Sequence, residues 1–311
     1  MSGSAVGKVV AAALRRPTAS DDKYRRGVLG VRTGSAHYPG AAVLSVSAAW
    51  RTGVGLLRFV PQIDDVVPPY GLPTPAAAVL AARPETVFGL GSRPCDAWLI
   101  GSGTDPATRS VDETTTITAF MEAEAPMVVD AGALELVPRM VSSSDRGTAS
   151  LAPMILTPHA GEFARLWDAR GLGDRPSVFD DPEAFEARSE AAARLASALG
   201  ATVLLKGSRT VCATPGGLRR HTPAATPWLA TAGTGDVLAG ILAALVTHHH
   251  AAVRADPEFL ADLGIAAATL HDRAARVAAG TTSSGSPIVA LDIVDAIPAA
   301  WNELAIAQTT P

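Results

Sequence analysis

The residues of this chain able to do chemistry gather in short, glycine-containing stretches. The most informative is Gly233-Thr234-Gly235-Asp236, which runs directly into the apolar stretch from Val237 to Val246. The first N–H groups of a helix lack internal partners and carry partial positive charge from the aligned peptide dipoles. Glycines admit a ligand close to those groups, so this stretch reads as a phosphate cradle with a carboxylate at its rim. An acid beside a bound phosphate suggests chemistry as well as binding.

Other stretches add polar groups. Lys206-Gly207-Ser208-Arg209-Thr210 sets a cation and hydroxyls after an apolar run. Lysine pairs with phosphate and hydroxyls donate to it. A surface hairpin without a ligand fits equally, with its turn at Thr214-Pro215-Gly216-Gly217 and a return strand from Leu218. In Thr157-Pro158-His159-Ala160-Gly161-Glu162, Pro158 holds Thr157 extended and Gly161 permits a sharp turn. His159 and Glu162 then lie near a strand end, where functional and structural roles weigh about evenly; a first-turn Glu also complements the dipole. Gly101-Ser102-Gly103 is a weak signal that more often marks a bare tight turn. Thr33–Ala42 is a further Gly/Ser loop opening a helix. His248-His249-His250 could hold a metal, but neighbouring side chains on a helix diverge, so a solvated helix cap outweighs that reading.

These loops need a scaffold. Strands are expected at Ala97–Ile100, Met127–Val129, Met154–Leu156 and Thr202–Leu205, with helices at Ala41–Thr52, Asp112–Glu124, Pro182–Leu199, Val237–His248 and Pro257–Ala279. Continuously apolar strands alternating with helices predict a mostly parallel sheet covered on both faces. In such sheets ligands bind beyond the carboxyl ends of the strands, where the loops above converge. Polar loops are expected at 142–150 and 280–287. Residues 1–22 read as a loosely ordered leader, and 23–305 as one domain.

The 311 residues are 48% hydrophobic and carry a formal net charge of −4. That charge leaves no electrostatic footprint for nucleic acid or an anionic membrane. With Cys95 and Cys212 alone, no disulfide framework is readable, and a reducing cytoplasm is the expected compartment. No apolar run approaches the roughly 20 residues that span a bilayer.

Taken in order, the motifs resemble the ADP/ATP-dependent NAD(P)H-hydrate dehydratases of the ribokinase-like superfamily. The resemblance is carried by Tyr38-Pro39-Gly40-Ala41-Ala42 with Arg51-Thr52-Gly53-Val54-Gly55-Leu56, and by Val128-Val129-Asp130-Ala131-Gly132. It continues through Thr157–Phe163, Leu205-Lys206-Gly207 through Thr210, Gly233–Asp236 and His271-Asp272-Arg273-Ala274-Ala275. It implies a three-layer α/β/α ribokinase-like fold and repair of hydrated NADH or NADPH, in which a nucleotide phosphoryl group activates the ring hydroxyl and elimination follows. Asp236 is then the catalytic base, and the N–H groups of Gly233, Thr234 and Gly235 form the anion hole. Lys206, Gly207, Ser208, Arg209, Thr210 and Gly235 would line the AMP part of ADP or ATP. Ala41, Gly103, His159 and Asp236 would contact the (6S)-hydrate.

The resemblance also implies Mg²⁺ on the phosphates, a homotetramer, and functional coupling to a separate epimerase. Three stretches depart from the family pattern. Asp22-Lys23-Tyr24 stands for His-Lys-Gly, Ala160 interrupts Thr-Pro-His-Pro-Gly-Glu, and 221–226 replaces Asn-Pro-Thr-Gly-Asn, removing an amide near the anion site. Two other readings fit the anion cradle: a ribokinase-like kinase of a thiazole or pyrimidine alcohol, and a nucleotide-binding module without catalysis. Asp236 speaks against the latter.

Overall fold

The computed structural model describes residues 3–62, 66–144, 151–176, 184–280 and 285–306. Nine strands form one sheet in the order β3-β2-β1-β4-β5-β6-β7-β8-β9. They are β1 (Val28–Arg32), β2 (Leu56–Phe59), β3 (Val87–Phe88), β4 (Ala97–Ile100), β5 (Met127–Val129), β6 (Met154–Leu156), β7 (Thr202–Leu205), β8 (Val211–Ala213) and β9 (Arg219–His221). The seven strands β1–β7 pair in parallel, and β8 and β9 add an antiparallel edge. The four strands expected from sequence have the expected bounds. The hairpin turn at 214–217 joins β8 to β9 as anticipated.

Helices cover both faces, giving the expected three layers. Successive side chains of a strand alternate between the faces. On one side Leu29, Val31, Leu57, Phe59, Leu99, Val128, Ile155 and Leu204 pack into a core. The helices there are α1 (Gly3–Ala13), α2 (Pro39–Thr52), α8 (Thr234–His248), α10 (Phe259–Ala279) and α11 (Ala290–Ile306). On the other, Val28, Ile100, Met127, Val129, Met154, Leu156, Val203 and Leu205 meet α4 (Val111–Met121), α5 (Leu136–Ser144), α6 (Ala160–Ala169) and α7 (Phe185–Leu199). Short helices α3 (Pro75–Ala82) and α9 (His250–Ala255) complete the set. No helix among the described residues is long and apolar enough to cross a membrane.

Helix α8 is buried on every side from Val237 to Thr247, as an all-apolar helix must be. Its Gly240 lies so close to α2 that a Cβ there would fall 2.3 Å from the Ser45 carbonyl oxygen. That close approach fixes the position of the α8 N-terminus, where Asp236 sits.

The structure corrects three expectations. Residues 3–13 form α1, not a loose leader: Val6, Val10 and Ala13 are buried against the α10–α11 side of the core. The polar 142–150 stretch begins inside α5, since that helix runs to Ser144; residues 145–150 lie outside the described residues, as do 281–284 of the second polar loop and Pro182 of an expected helix. The three histidines are not a solvated cap. His248 Nε2 lies 3.1 Å from the Gly53 carbonyl, His249 Nε2 3.0 Å from that of Ala13, and His250 Nδ1 3.0 Å from that of Thr247. They tie helix C-termini together. Burial pushes His248 down to about 4, so it bonds as a neutral ring.

Beneath the carboxyl edge of the sheet, the Arg32 guanidinium at the end of β1 pairs with Glu113 of α4, with both side chains almost fully buried. Removing one partner strands the other charge in the core, so Glu113→Ala is expected to cost about 3–5 kcal/mol in urea unfolding. Arg32→Leu combined with Glu113→Leu should recover much of that loss, because neither charge is then left unpaired.

Candidate functional site

Four adjacent strand ends meet on one carboxylate. Asp130, directly after β5, is 3% exposed. It accepts from Ser102 Oγ after β4 at 2.8 Å, Thr157 Oγ1 after β6 at 2.6 Å and Lys206 Nζ after β7 at 2.9 Å. Burial alone would raise the Asp130 pKa, but Lys206 and these hydrogen bonds outweigh it and hold the group ionised below the usual carboxylate range. Burial likewise opposes the charge on Lys206, and its carboxylate neighbours reverse that, raising its pKa. The next residue, Ala131, carries φ of 45°, a conformation that alanine adopts only under strain and that marks this turn as held by its surroundings.

Asp236 stands on the first turn of α8 and faces the same cluster. Burial, then the Asp130 charge, push its carboxyl up to about 7, with Lys206 opposing. A carboxylate poised there can take a proton near neutral pH. Gly233 precedes the helix at φ 85°, packed so closely on Leu44 that a Cβ would lie 2.6 Å from its Cδ1. No side chain caps the helix: Thr234 Oγ1 is turned to the carbonyls of Leu229 and Thr231, 3.0 Å from each. The first backbone N–H groups are thus left for an incoming acceptor. A Cβ on Gly235 would sit 3.7 Å from Lys206 Nζ, so the α8 N-terminus and the lysine are neighbours.

His159 does two things. Its Nδ1 accepts from the Gly161 N–H at 3.0 Å while Glu162 Oε2 accepts from the His159 N–H at 2.8 Å, a reciprocal cap on α6. With Nδ1 accepting, the neutral ring carries its proton on Nε2, which lies 3.6 Å from Glu162 Oε2 in a side chain 57% exposed. Glu162 Oε2 in turn lies 3.8 Å from Lys206 Nζ. Across the edge, a Cβ on Gly103 (φ 67°) would fall 2.3 Å from the Ala41 Cβ, so the β4 loop rests on the start of α2. The structure therefore brings Ala41 and Gly103 into contact. It links His159 through Glu162 and Lys206 to Asp236, with Asp130 joining the two groups through Ser102.

Beside this cluster a cavity of about 530 Å³ is lined by Lys206, Gly207, Ser208, Thr210 and Gly235, the size of ordinary small-ligand sites. Arg209 does not line it; its guanidinium lies 4.3 Å from the centroid of the Phe185 ring on α7. The far wall comes from α10, a contribution that sequence reasoning did not assign. His271 is buried there with Nε2 lacking any hydrogen-bond partner among the described residues, and burial pushes it down to about 4. Segment 221–226 is held by α10. Asp272 Oδ1 accepts from the Thr226 N–H at 2.7 Å, and the Arg276 guanidinium donates to the Ala224 carbonyl at 3.2 Å.

The mostly parallel, three-layer sheet, with an uncapped helix N-terminus at its carboxyl edge, is ribokinase-like. The hydroxyethylthiazole kinase of Pyrococcus horikoshii shares the fold, at TM-score 0.59 and 16% identity over 94% of this chain and 93% of that one. Within that class, residues 29–299 match the family model described as NAD(P)H-hydrate dehydratase, and the chain belongs to this family. It is 39% identical over 242 residues to the bifunctional NAD(P)H-hydrate repair enzyme Nnr of Mycobacterium tuberculosis; the match covers 76% of this chain and 44% of the relative, less than half its length. It is 34% identical to the ADP-dependent (S)-NAD(P)H-hydrate dehydratase of Xanthomonas campestris, over 78% of this chain and 81% of that one. Among solved structures it resembles the ADP/ATP-dependent NAD(P)H-hydrate dehydratase of Bacillus subtilis co-crystallised with ATP and Mg²⁺. The TM-score is 0.73 at 25% identity, covering 96% and 97% of the two chains.

Proposed function

We propose that the protein dehydrates (6S)-NAD(P)H hydrate at the expense of ADP or ATP, restoring the reduced cofactor. The observation that carries this reading is the juxtaposition of an uncapped α8 N-terminus, a carboxyl poised near 7 and a nucleotide-sized cavity. The nucleotide occupies that cavity with Lys206, Gly207, Ser208, Thr210 and Gly235 around its AMP part, and its terminal phosphate meets the N–H groups of Gly233, Thr234 and Gly235. Arg209 plays at most an outer part in this arrangement, given its packing on Phe185.

The hydrate enters from the side of Ala41, Gly103 and His159. Asp236 accepts the proton of the ring hydroxyl as that oxygen attacks the terminal phosphorus, and the bridging P–O bond breaks toward the shortened nucleotide. Hydroxide is a poor leaving group and phosphate a good one. Expulsion of phosphate with loss of a ring proton restores the double bond. Lys206 supplies fixed positive charge beside the transferring group, while Asp130 keeps Asp236 from ionising too readily.

Mg²⁺ neutralises nucleotide phosphates when bound. Asp130 and Glu162 are engaged by Lys206 and no cage of three ligating side chains is present among the described residues, so the ion would rest on phosphate and water. Within the same reading the protein is a cytoplasmic homotetramer, and an epimerase supplies the S epimer.

The test is incubation with the hydrate of NADH or NADPH, Mg²⁺ and either ADP or ATP, followed at the absorbance band of reduced nicotinamide. Recovery of the band with one nucleotide is expected. No recovery with either, together with phosphorylation of a thiazole or pyrimidine alcohol, would overturn the proposal in favour of a vitamin-alcohol kinase.

A further inference from the structure

A second cavity, of about 680 Å³, opens beside the cluster on the side away from the nucleotide. Its walls include Thr104 and Gly132, neighbours of Gly103 and Asp130, and Glu162 of the His159 turn. It therefore continues the path on which Gly103 and His159 lie. Two arginines face it, Arg139 from α5 and Arg165 from α6. The Arg165 guanidinium folds back along its helix, within 3.9 Å of where a Cβ would stand on Gly161, and the same point is 3.1 Å from His159 Cε1.

Charge in this cavity is unbalanced. Of its carboxylates, Glu135 is paired with Arg109 at 3.2 Å, and Glu162 is taken by the His159 N–H and Lys206. Arg109 is further tied to the Gly132 carbonyl. Arg139 and Arg165 have no hydrogen-bonded or ion-pair partner among the described residues. Two arginines without a partner among the described residues therefore line one concave space, next to carboxylates already committed elsewhere. Planar guanidiniums match phosphate oxygens in paired hydrogen bonds.

We propose that this cavity is the subsite for the adenosine half of the dinucleotide, with Arg139 and Arg165 binding one of its phosphate groups. The inference rests on the dehydratase reading, because it needs a substrate whose reacting ring lies at Asp236 while an anionic remainder extends past His159. The phosphate is either the pyrophosphate, common to both hydrates, or the 2′-phosphate carried by NADPH hydrate alone. In the second case the two arginines set cofactor preference. Neither touches the reacting ring, so their removal should leave the chemical step intact.

Arg139→Ala, Arg165→Ala and the double variant separate these outcomes. Hydrogen bonds to charged groups contribute enough that loss of both should raise the hydrate KM roughly tenfold or more, with kcat and the ADP KM little changed. A rise for both hydrates identifies the pyrophosphate; a rise for NADPH hydrate only identifies the 2′-phosphate. Arg139→Lys and Arg165→Lys should restore part of the loss. Calorimetric titration with NADPH at saturating ADP gives a readout free of turnover, and the double variant should bind it correspondingly more weakly. Unchanged hydrate KM and unchanged NADPH affinity would overturn the subsite, leaving two solvated surface arginines. A wild-type protein that turns over neither hydrate overturns the dehydratase reading instead, and the NADPH titration still decides the subsite.

Discussion

Asp236→Asn should bind ADP as the wild type does and lose turnover by about 10²- to 10⁴-fold, the usual worth of a positioned general base. Asparagine keeps the size and polarity of the side chain, so the α8 N-terminus and the cavity beside it are undisturbed; only proton acceptance is lost. In the wild type the rate should rise with pH through about 7, where Asp236 becomes the carboxylate, and the variant's residual rate should lack that rise. Near-normal turnover in Asp236→Asn, or a wild-type profile flat from pH 5 to 8, would remove Asp236 from the mechanism.

The same group makes a stability prediction with a defined sign. Its pKa is raised from 3.8 to about 7 on folding, so the fold favours the protonated form. The contribution is fully present below about 4 and is lost as pH rises through 7. Asp236→Asn should therefore unfold later than the wild type at pH 8, by about 2 kcal/mol, and no later at pH 4. Thermal denaturation at the two pH values measures both.

The second large effect lies at Lys206. Lys206→Met removes the cation from a buried Asp130 that still accepts from Ser102 and Thr157, and a loss of about 3–5 kcal/mol is expected. Lys206 also holds the Asp236 pKa down, while Asp130 holds it up. The acid limb of the rate profile should then move to higher pH in Lys206→Met and to lower pH in Asp130→Asn. Opposite displacements identify the pair as the device that tunes the base. Displacements of the same sign, or none, would mean that burial alone sets it. For Asp130 itself the sign is the ordinary one. Its pKa is lowered, so its stabilisation is present at neutral pH and disappears as pH falls through the folded value.

How far sequence sufficed varies with the physical origin of each feature. The central strands β4 to β7 were legible because burial on both faces writes an unbroken apolar run bounded by glycine or proline. β1 was not: Val28-Leu29-Gly30-Val31-Arg32 contains a glycine, pressed against the Trp98 ring, and ends in an arginine whose buried partner lies 81 residues away. α1 has a helical stripe in Val6, Val10 and Ala13, but the run is short and contains Gly3 and Gly7, and nothing in the sequence shows what the stripe would pack on; its contacts with α10 and α11 do. At the site, the helix start from Gly233 to Asp236 is readable in the sequence, since helix-start chemistry is local. The role of Asp130 was not, because three of its partners come from other strand ends. The available signal was an acid placed directly after an apolar strand run and before Ala-Gly. Arg209 looked equivalent to its neighbours in the Lys206–Thr210 stretch, and only the position of Phe185 on α7 shows that its side chain leaves the cavity.

The placement of α1 has a practical consequence. Val6, one turn from the start of that helix, forms part of the cavity wall opposite Lys206 and Gly235. The packing of α1 on α10 and α11 and the shape of that cavity are thereby tied together. A Val6→Ala exchange, which leaves a hole in that wall, should register in ligand affinity as well as in folding.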